Sequence, residues 1–218
     1  MIDFETLSDQ IRESFVRKNE IRDNALAQSR NLIRHAARAI RAIHREDEAL
    51  AQEHLTEADD LAQALREGLS GDPELYFSGY AQDALKEYTE AHLTVATILD
   101  QEWPTPDDLH VEYATYLNGM SEVVGELRRR IMDIMRKGHS PEVERLLDVM
   151  DDIYAQLVTM DFPDALTYGL RRRTDIARSI IERTQADVTI SFRQQQLEKR
   201  IADFSNKLTE IEINTENK

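Results

Sequence analysis

Four glutamates have the residue type and spacing for metal chemistry. Glu87 and Glu90 stand three residues apart, and Glu122 and Glu126 stand four apart. On an α-helix an i,i+3 pair lies about 60° apart around the axis and an i,i+4 pair about 40° apart, so each pair projects from one face. Two such helices packed with these faces opposed would bring four carboxylates into one pocket. Like charges that close resist ionising together unless a cation joins them. An all-oxygen ligand set suits a hard divalent ion, Mg²⁺ first and Mn²⁺ as the alternative. The chain carries 42 acids in 218 residues, so spacing alone leaves open that both pairs are merely solvated. Two features favour the metal. Glu122 and Glu126 lie among Met120, Val123, Val124 and Leu127. Gly119 and Gly125 sit inside an otherwise good helix, where each costs about 1 kcal/mol relative to Ala. Glycines there imply that another backbone or a ligand comes close.

A second constellation is basic. Between Asn24 and Arg45 there are five arginines (Arg30, Arg34, Arg38, Arg41, Arg45), two histidines and no acid. The arginines step by 4, 4, 3 and 4, which lines one helix face. In a chain of net charge −15 this is a local field of the opposite sign, suited to a phosphate backbone. An acidic helix face of the same or a neighbouring subunit suits it equally. Arg128-Arg129-Arg130 and Arg171-Arg172-Arg173 each splay over roughly 200° of helix, so neither is one patch. Arg128 and Arg129 follow Glu126 closely and are candidates for contact with substrate phosphate; ion pairing is the expected role for most of the six.

Other chemistries lack residues. No histidine stands three positions after a glutamate, which removes the ligand pattern of di-iron carboxylate bundles. Without cysteine there is no thiolate site and no disulfide, and the interior of a cell, the cytoplasm, is the expected compartment. The chain has no Gly-x-Ser-x-Gly and no Gly-rich phosphate loop. No apolar run approaches the roughly 20 residues that cross a bilayer, so no membrane association is expected.

The elements that must position these groups read as helices throughout. With 32% charged residues, seven Gly and five Pro, the composition is that of a helix-rich protein. Breaks and start signals predict helices over about 3–46, 47–69, 73–101, 105–137, 140–160, 163–186 and 190–213, with a frayed tail at 213–218. Thr105-Pro106-Asp107-Asp108 is the best-formed start, and Ser140-Pro141-Glu142 repeats the formula. No stretch alternates with period two, so no sheet is expected. The prediction is a single all-α domain over 1–218, a seven-helix bundle with a long N-terminal helix. That helix carries a near-heptad apolar stripe (Leu26, Ile33, Ala37, Ile40, Ile43), more apolar surface than one bundle needs, so self-assembly is expected.

The segment Tyr116-Leu117-Asn118-Gly119-Met120-Ser121-Glu122-Val123-Val124-Gly125-Glu126-Leu127-Arg128, followed by Ser140-Pro141 and Leu147 to Tyr154, resembles the translin family. Glu87-Tyr88-Thr89-Glu90-Ala91 resembles the Glu-Tyr-Val-Glu-Ala of its Trax branch, and the long first helix is also similar. The likeness spans roughly residues 20–200. It implies a translin-like fold in a closed shell, an octamer, built from this chain alone or with a translin-like subunit. It also implies binding of single-stranded RNA, with single-stranded DNA as the alternative. The Trax branch implies a Mg²⁺-dependent endoribonuclease whose catalytic carboxylates fall on Glu87, Glu90, Glu122 and Glu126. Glu122 stands where Trax usually shows Asp. The basic cluster of translin's third helix is not matched, since Tyr76 to Ala84 holds no Arg or Lys; RNA contact is therefore assigned to the arginine stripe with Arg128 and Arg129. Two other readings stay open, a non-catalytic nucleic-acid-binding shell and a helical scaffold for protein partners.

Overall fold

The computed structural model describes residues 3–138 and 140–216, with side chains described to residue 207. Its order is α1 (Phe4–His44), α2 (Glu48–Leu69), α3 (Pro73–Tyr76), α4 (Gly79–Ile98), α5 (Pro106–Leu109), α6 (Tyr113–Met135), α7 (Pro141–Leu157), α8 (Asp164–Thr167) and α9 (Leu170–Glu216). No strand occurs among the described residues, so the all-α expectation and the long first helix hold.

The helix count differs from seven. Among the described residues there are six long helices and three single turns, for local reasons. At the expected start Thr105 and Asp108 form a capping box, yet α5 lasts one turn because His110 turns left-handed at φ 50° and Glu112 begins α6 anew. Extended Ser78 likewise divides the expected third helix into α3 and α4. The sixth expected helix breaks at Tyr168 (φ 50°) and Gly169 (φ 83°); a residue without Cβ tolerates that region. Conversely, no break occurs at 187–189. Val188 is buried in the core there, and Arg128 on α6 donates to Thr184 and Asp187, which holds α9 as one helix of 47 residues. That helix reaches Glu216, past the expected end at 213, and residues 217–218 lie outside the described residues.

Helix α4 is the hinge of the packing. It is buried nearly all round, as a helix in the middle of a bundle must be, from Ala81 and Leu85 to Thr97. One side meets α1 and α2 through Ala36, Ala39, Ile43, Leu55, Ala91 and Val95. On the other, Leu93 joins a cluster with Val124, Leu127, Ile131, Leu146, Met150 and Ile181 from α6, α7 and α9. Small residues on α1, α2 and α4 let these axes approach. The buried hydroxyls of Thr89 and Thr97 are satisfied by donating to the carbonyls of Leu85 and Leu93 at 2.8 and 2.7 Å.

Gly119 explains how α6 lies on α4. A Cβ at Gly119 would come within 2.9 Å of the Lys86 carbonyl oxygen and 2.9 Å of Thr89 Cβ, so only glycine permits this crossing. Gly125 behaves otherwise, since nothing lies within 4 Å of a Cβ built there. The expected close approach is present at the first glycine and absent at the second.

Candidate metal centre and the surfaces around it

The crossing at Gly119 sets the site three residues further along α6. Carboxylate oxygens of Glu87, Glu90 and Glu122 all lie within 4.8 Å of one another. The two sequence-local pairs thus meet as three, Glu87 and Glu90 from α4 and Glu122 from α6. Glu126, one turn on, accepts a hydrogen bond from His44 Nε2 at 2.6 Å and lies 3.6 Å from an Arg129 guanidinium nitrogen. His44 belongs to α1, and its side chain is 2% exposed.

Cations from two helices, α4 and α9, pair with Glu122 and Glu87. The Lys86 ammonium lies 2.8 Å from Glu122 Oε1, 2.7 Å from Glu122 Oε2 and 3.1 Å from Glu87 Oε1. Arg173, from α9, also pairs with Glu122. Burial alone would lower the Lys86 pKa, but the Glu122 hydrogen bond and the charges of Glu122 and Glu87 outweigh it and raise it. The His44 hydrogen bond, against the opposing cost of burial, holds Glu126 below the usual carboxylate range.

Glu90 is the exception. It is 8% exposed and makes no hydrogen bond or ion pair among the described residues. Burial first, then the charges of Glu87, Glu122 and Glu126, push its carboxyl up to about 8. A buried carboxyl beside other carboxylates, with no cation on it, behaves in this way. The donor set fits a hard divalent ion: three carboxylates, one of them held protonated near neutrality by burial and then by its neighbours.

A pH dependence follows. The folded protein holds the Glu90 proton more tightly than the unfolded chain, whose carboxyl titrates near 4.5. Folding thus takes up a proton between these values, and stability falls as pH rises from about 4.5 to about 8, then levels. In chelator, melting temperature measured from pH 5 to 9 should decline through this window, and Glu90→Gln should flatten the decline.

The arginine stripe is a surface feature. Arg30, Arg34, Arg38, Arg41 and Arg45 are all exposed. They fall within about 80° of arc, on the side of α1 opposite the buried Ala25, Ser29, Leu32, Ala36 and Ala39. Arg34 donates to Asn31 at 2.9 Å; none of the five forms an ion pair among the described residues. An acidic face of the same chain is therefore not what the stripe meets. Of the two triplets, Arg128 is taken up by Thr184 and Asp187, Arg129 by Glu126, Arg130 by Glu46, Arg171 by Asp161 and Arg173 by Glu122.

Three groups at the centre carry no local sequence signal of their role. Lys86, His44 and Arg173 reach their partners across 36, 82 and 51 residues. One hint was present, a lysine next to Glu87 in a chain with only six lysines against 21 arginines.

Comparison with known proteins gives a consistent result. The solved structure of AfC3PO in complex with duplex RNA superposes with a TM-score of 0.78 at 33% identity, covering 84% of this chain and 95% of that one. AfC3PO alone gives a TM-score of 0.77 at 32% identity, with 84% and 95% covered. Apo-NeC3PO shares the fold at 0.77 and 22% identity, over 84% of this chain and 96% of that one. An uncharacterised protein of Methanocaldococcus jannaschii is 29% identical over 187 residues, 84% of this chain and 82% of its own. No protein-family model matches.

Proposed function

The chain belongs to the translin family, on its Trax-like branch, and from that premise we propose that it is a divalent-metal-dependent endoribonuclease working within an RNA-binding oligomer. The observation that carries the reading is the convergence of Glu87, Glu90 and Glu122 within 4.8 Å, at the positions where the Trax-like resemblance puts catalytic carboxylates. These three would hold the ion, with Glu126 beside them on His44. A bound Mg²⁺ or Mn²⁺ supplies Lewis acidity for attack of water on a phosphodiester and offsets the charge that develops there. The chain's own residues do the rest. Gly119 fixes the distance between the two helices that carry the carboxylates, Lys86 and Arg173 orient Glu122, and His44 orients Glu126. The longer Glu122, standing where Asp is usual, reaches Lys86 and Arg173 together.

RNA contact is assigned to the exposed arginine stripe. Steps of three and four residues along α1 space the arginine positions about 4.5–6 Å apart along the axis, a repeat a sugar-phosphate backbone can follow. AfC3PO was solved with duplex RNA, so both single and double strands belong in the assay. Single-stranded DNA is the alternative ligand. Assembly is supported by apolar residues left uncovered on two helices. Phe4, Leu7, Ile11 and Phe15 form a heptad-like stripe on α1, and Ile190, Leu197, Ile201 and Phe204 do so on α9, each at least 45% exposed. A closed octamer, of this chain alone or with a translin-like subunit, is the assembly we assign, and light scattering tests it.

The deciding experiment is incubation of the purified protein with labelled RNA in Mg²⁺, in Mn²⁺ and in chelator. Cleavage with either metal and none in chelator is the expected result. Binding without cleavage under every divalent metal would transfer the protein to the non-catalytic shell reading. Lack of affinity even at low salt, where phosphate contacts are strongest, would favour the protein scaffold. In the same assay, Arg34→Gln with Arg38→Gln should weaken RNA binding for all sequences and reduce the salt slope by roughly 2.

A further inference from the structure

The least expected group in the carboxylate cluster is an ammonium. Lys86 is 8% exposed and its Nζ lies 2.7–3.1 Å from oxygens of Glu122 and Glu87. These are two of the three carboxylates that the 4.8 Å grouping contains. Taking an ammonium out of water is expensive unless paired charges repay it, so this lysine needs a reason to be there.

Backbone geometry keeps it there. The Lys86 carbonyl is the atom against which Gly119 packs, so the lysine is registered to α6 at the crossing itself. Its side chain then meets Glu122, three residues along that helix. The residue type fits the task. An ammonium is a compact point charge with three donors, whereas a guanidinium is a planar fork. The arginine of the site, Arg173, approaches Glu122 from α9 with its side chain 30% exposed, while Lys86 is inside, at 10%.

We propose that Lys86 is a resident cation: its ammonium fills the cation position of the metal-free centre, and a divalent ion enters by displacing it from Glu122 and Glu87. The inference rests on reading the carboxylates as a metal site. It accounts for how several carboxylates stay together in a folded protein without an ion, since Lys86 and Arg173 neutralise Glu122 and Lys86 also reaches Glu87. It also implies a metal affinity set below what the carboxylates alone would give, because each binding event must break the lysine's contacts. The competition is between charges of the same sign for the same oxygens.

The test is Mn²⁺ titration of the full-length protein, free Mn²⁺ being read by electron paramagnetic resonance. Wild type is compared with Lys86→Met, which keeps most of the length and loses the charge. Removing a unit positive charge a few ångströms from the ion should tighten Mn²⁺ binding roughly tenfold or more. The metal-free melting temperature of the variant should fall, and its rise on adding Mn²⁺ should exceed that of wild type. Unchanged or weaker Mn²⁺ binding by the variant, with wild type still binding, overturns the inference and leaves the metal-site reading standing. If neither protein binds Mn²⁺, both are overturned. Should the variant fail to fold, wild type decides. Reductive methylation of Lys86, followed by peptide mass mapping, should be slow in chelator and accelerate in Mn²⁺. An unchanged rate overturns the displacement.

Discussion

Glu90→Gln should abolish metal-dependent cleavage while leaving the metal-free protein at least as stable as wild type. The two halves of this result have one cause. Burial and three neighbouring carboxylates hold Glu90 protonated near neutrality, its carboxyl being pushed up to about 8. Glutamine is nearly isosteric with that protonated acid, so the metal-free fold hardly registers the change, and above pH 8 it is relieved of a buried charge. A divalent ion, by contrast, needs the carboxylate. The amide offers one neutral oxygen, and loss of a carboxylate ligand should reduce cleavage at saturating RNA by at least about a hundredfold, since even partners one shell further out cost 10–100-fold. Glu87→Gln and Glu122→Gln should lose cleavage similarly. Glu126→Gln should be milder, because Glu126 stands outside the group of three and is held by His44. RNA affinity in chelator should be unchanged in all four. Two of the three inner variants retaining wild-type cleavage would end the assignment of the site.

Gly119→Ala should cost about 1–3 kcal/mol of folding stability, the usual range for a group forced into a packed interior. The clash is with a backbone carbonyl and a β-carbon at 2.9 Å, neither of which is the free end of a flexible side chain. Relief requires α6 to move off α4. That movement also draws Glu122 from Lys86, Glu87 and Glu90, so cleavage should fall further than the stability loss alone explains. Gly125→Ala is the internal control. It lies six residues along the same helix with nothing within 4 Å of the added carbon, and should gain about 0.5–1 kcal/mol from helix propensity. Opposite signs in urea denaturation midpoints are the expected outcome. Equal effects would show that the close crossing at Gly119 does not govern stability.

The legibility of this protein in its sequence follows the range of each interaction. Capping and breaking signals act over a few residues, and they were readable: Thr105 with Asp108, Pro141 and the long breaker-free run that became α1. The same signals overran at His110, left-handed without being glycine, and at Tyr168, where the marker was the single Gly169 that follows it. They also supplied a break near 187 that packing removed, because Val188 is buried and Asp187 is tied to Arg128.

By itself the sequence determined the helical class, the two glutamate pairs and the arginine face. Each is a matter of periodicity on one helix, which spacing along the chain specifies. Tertiary structure decided which carboxylates share a pocket and what neutralises them. It separated Glu126 toward His44, gathered Glu87, Glu90 and Glu122, and brought Lys86 and Arg173 in as their counter-ions. A carboxylate's partner, its burial and its proton are set by whichever helices cross there, and that crossing depends on the close approach of α6 to α4 at Gly119.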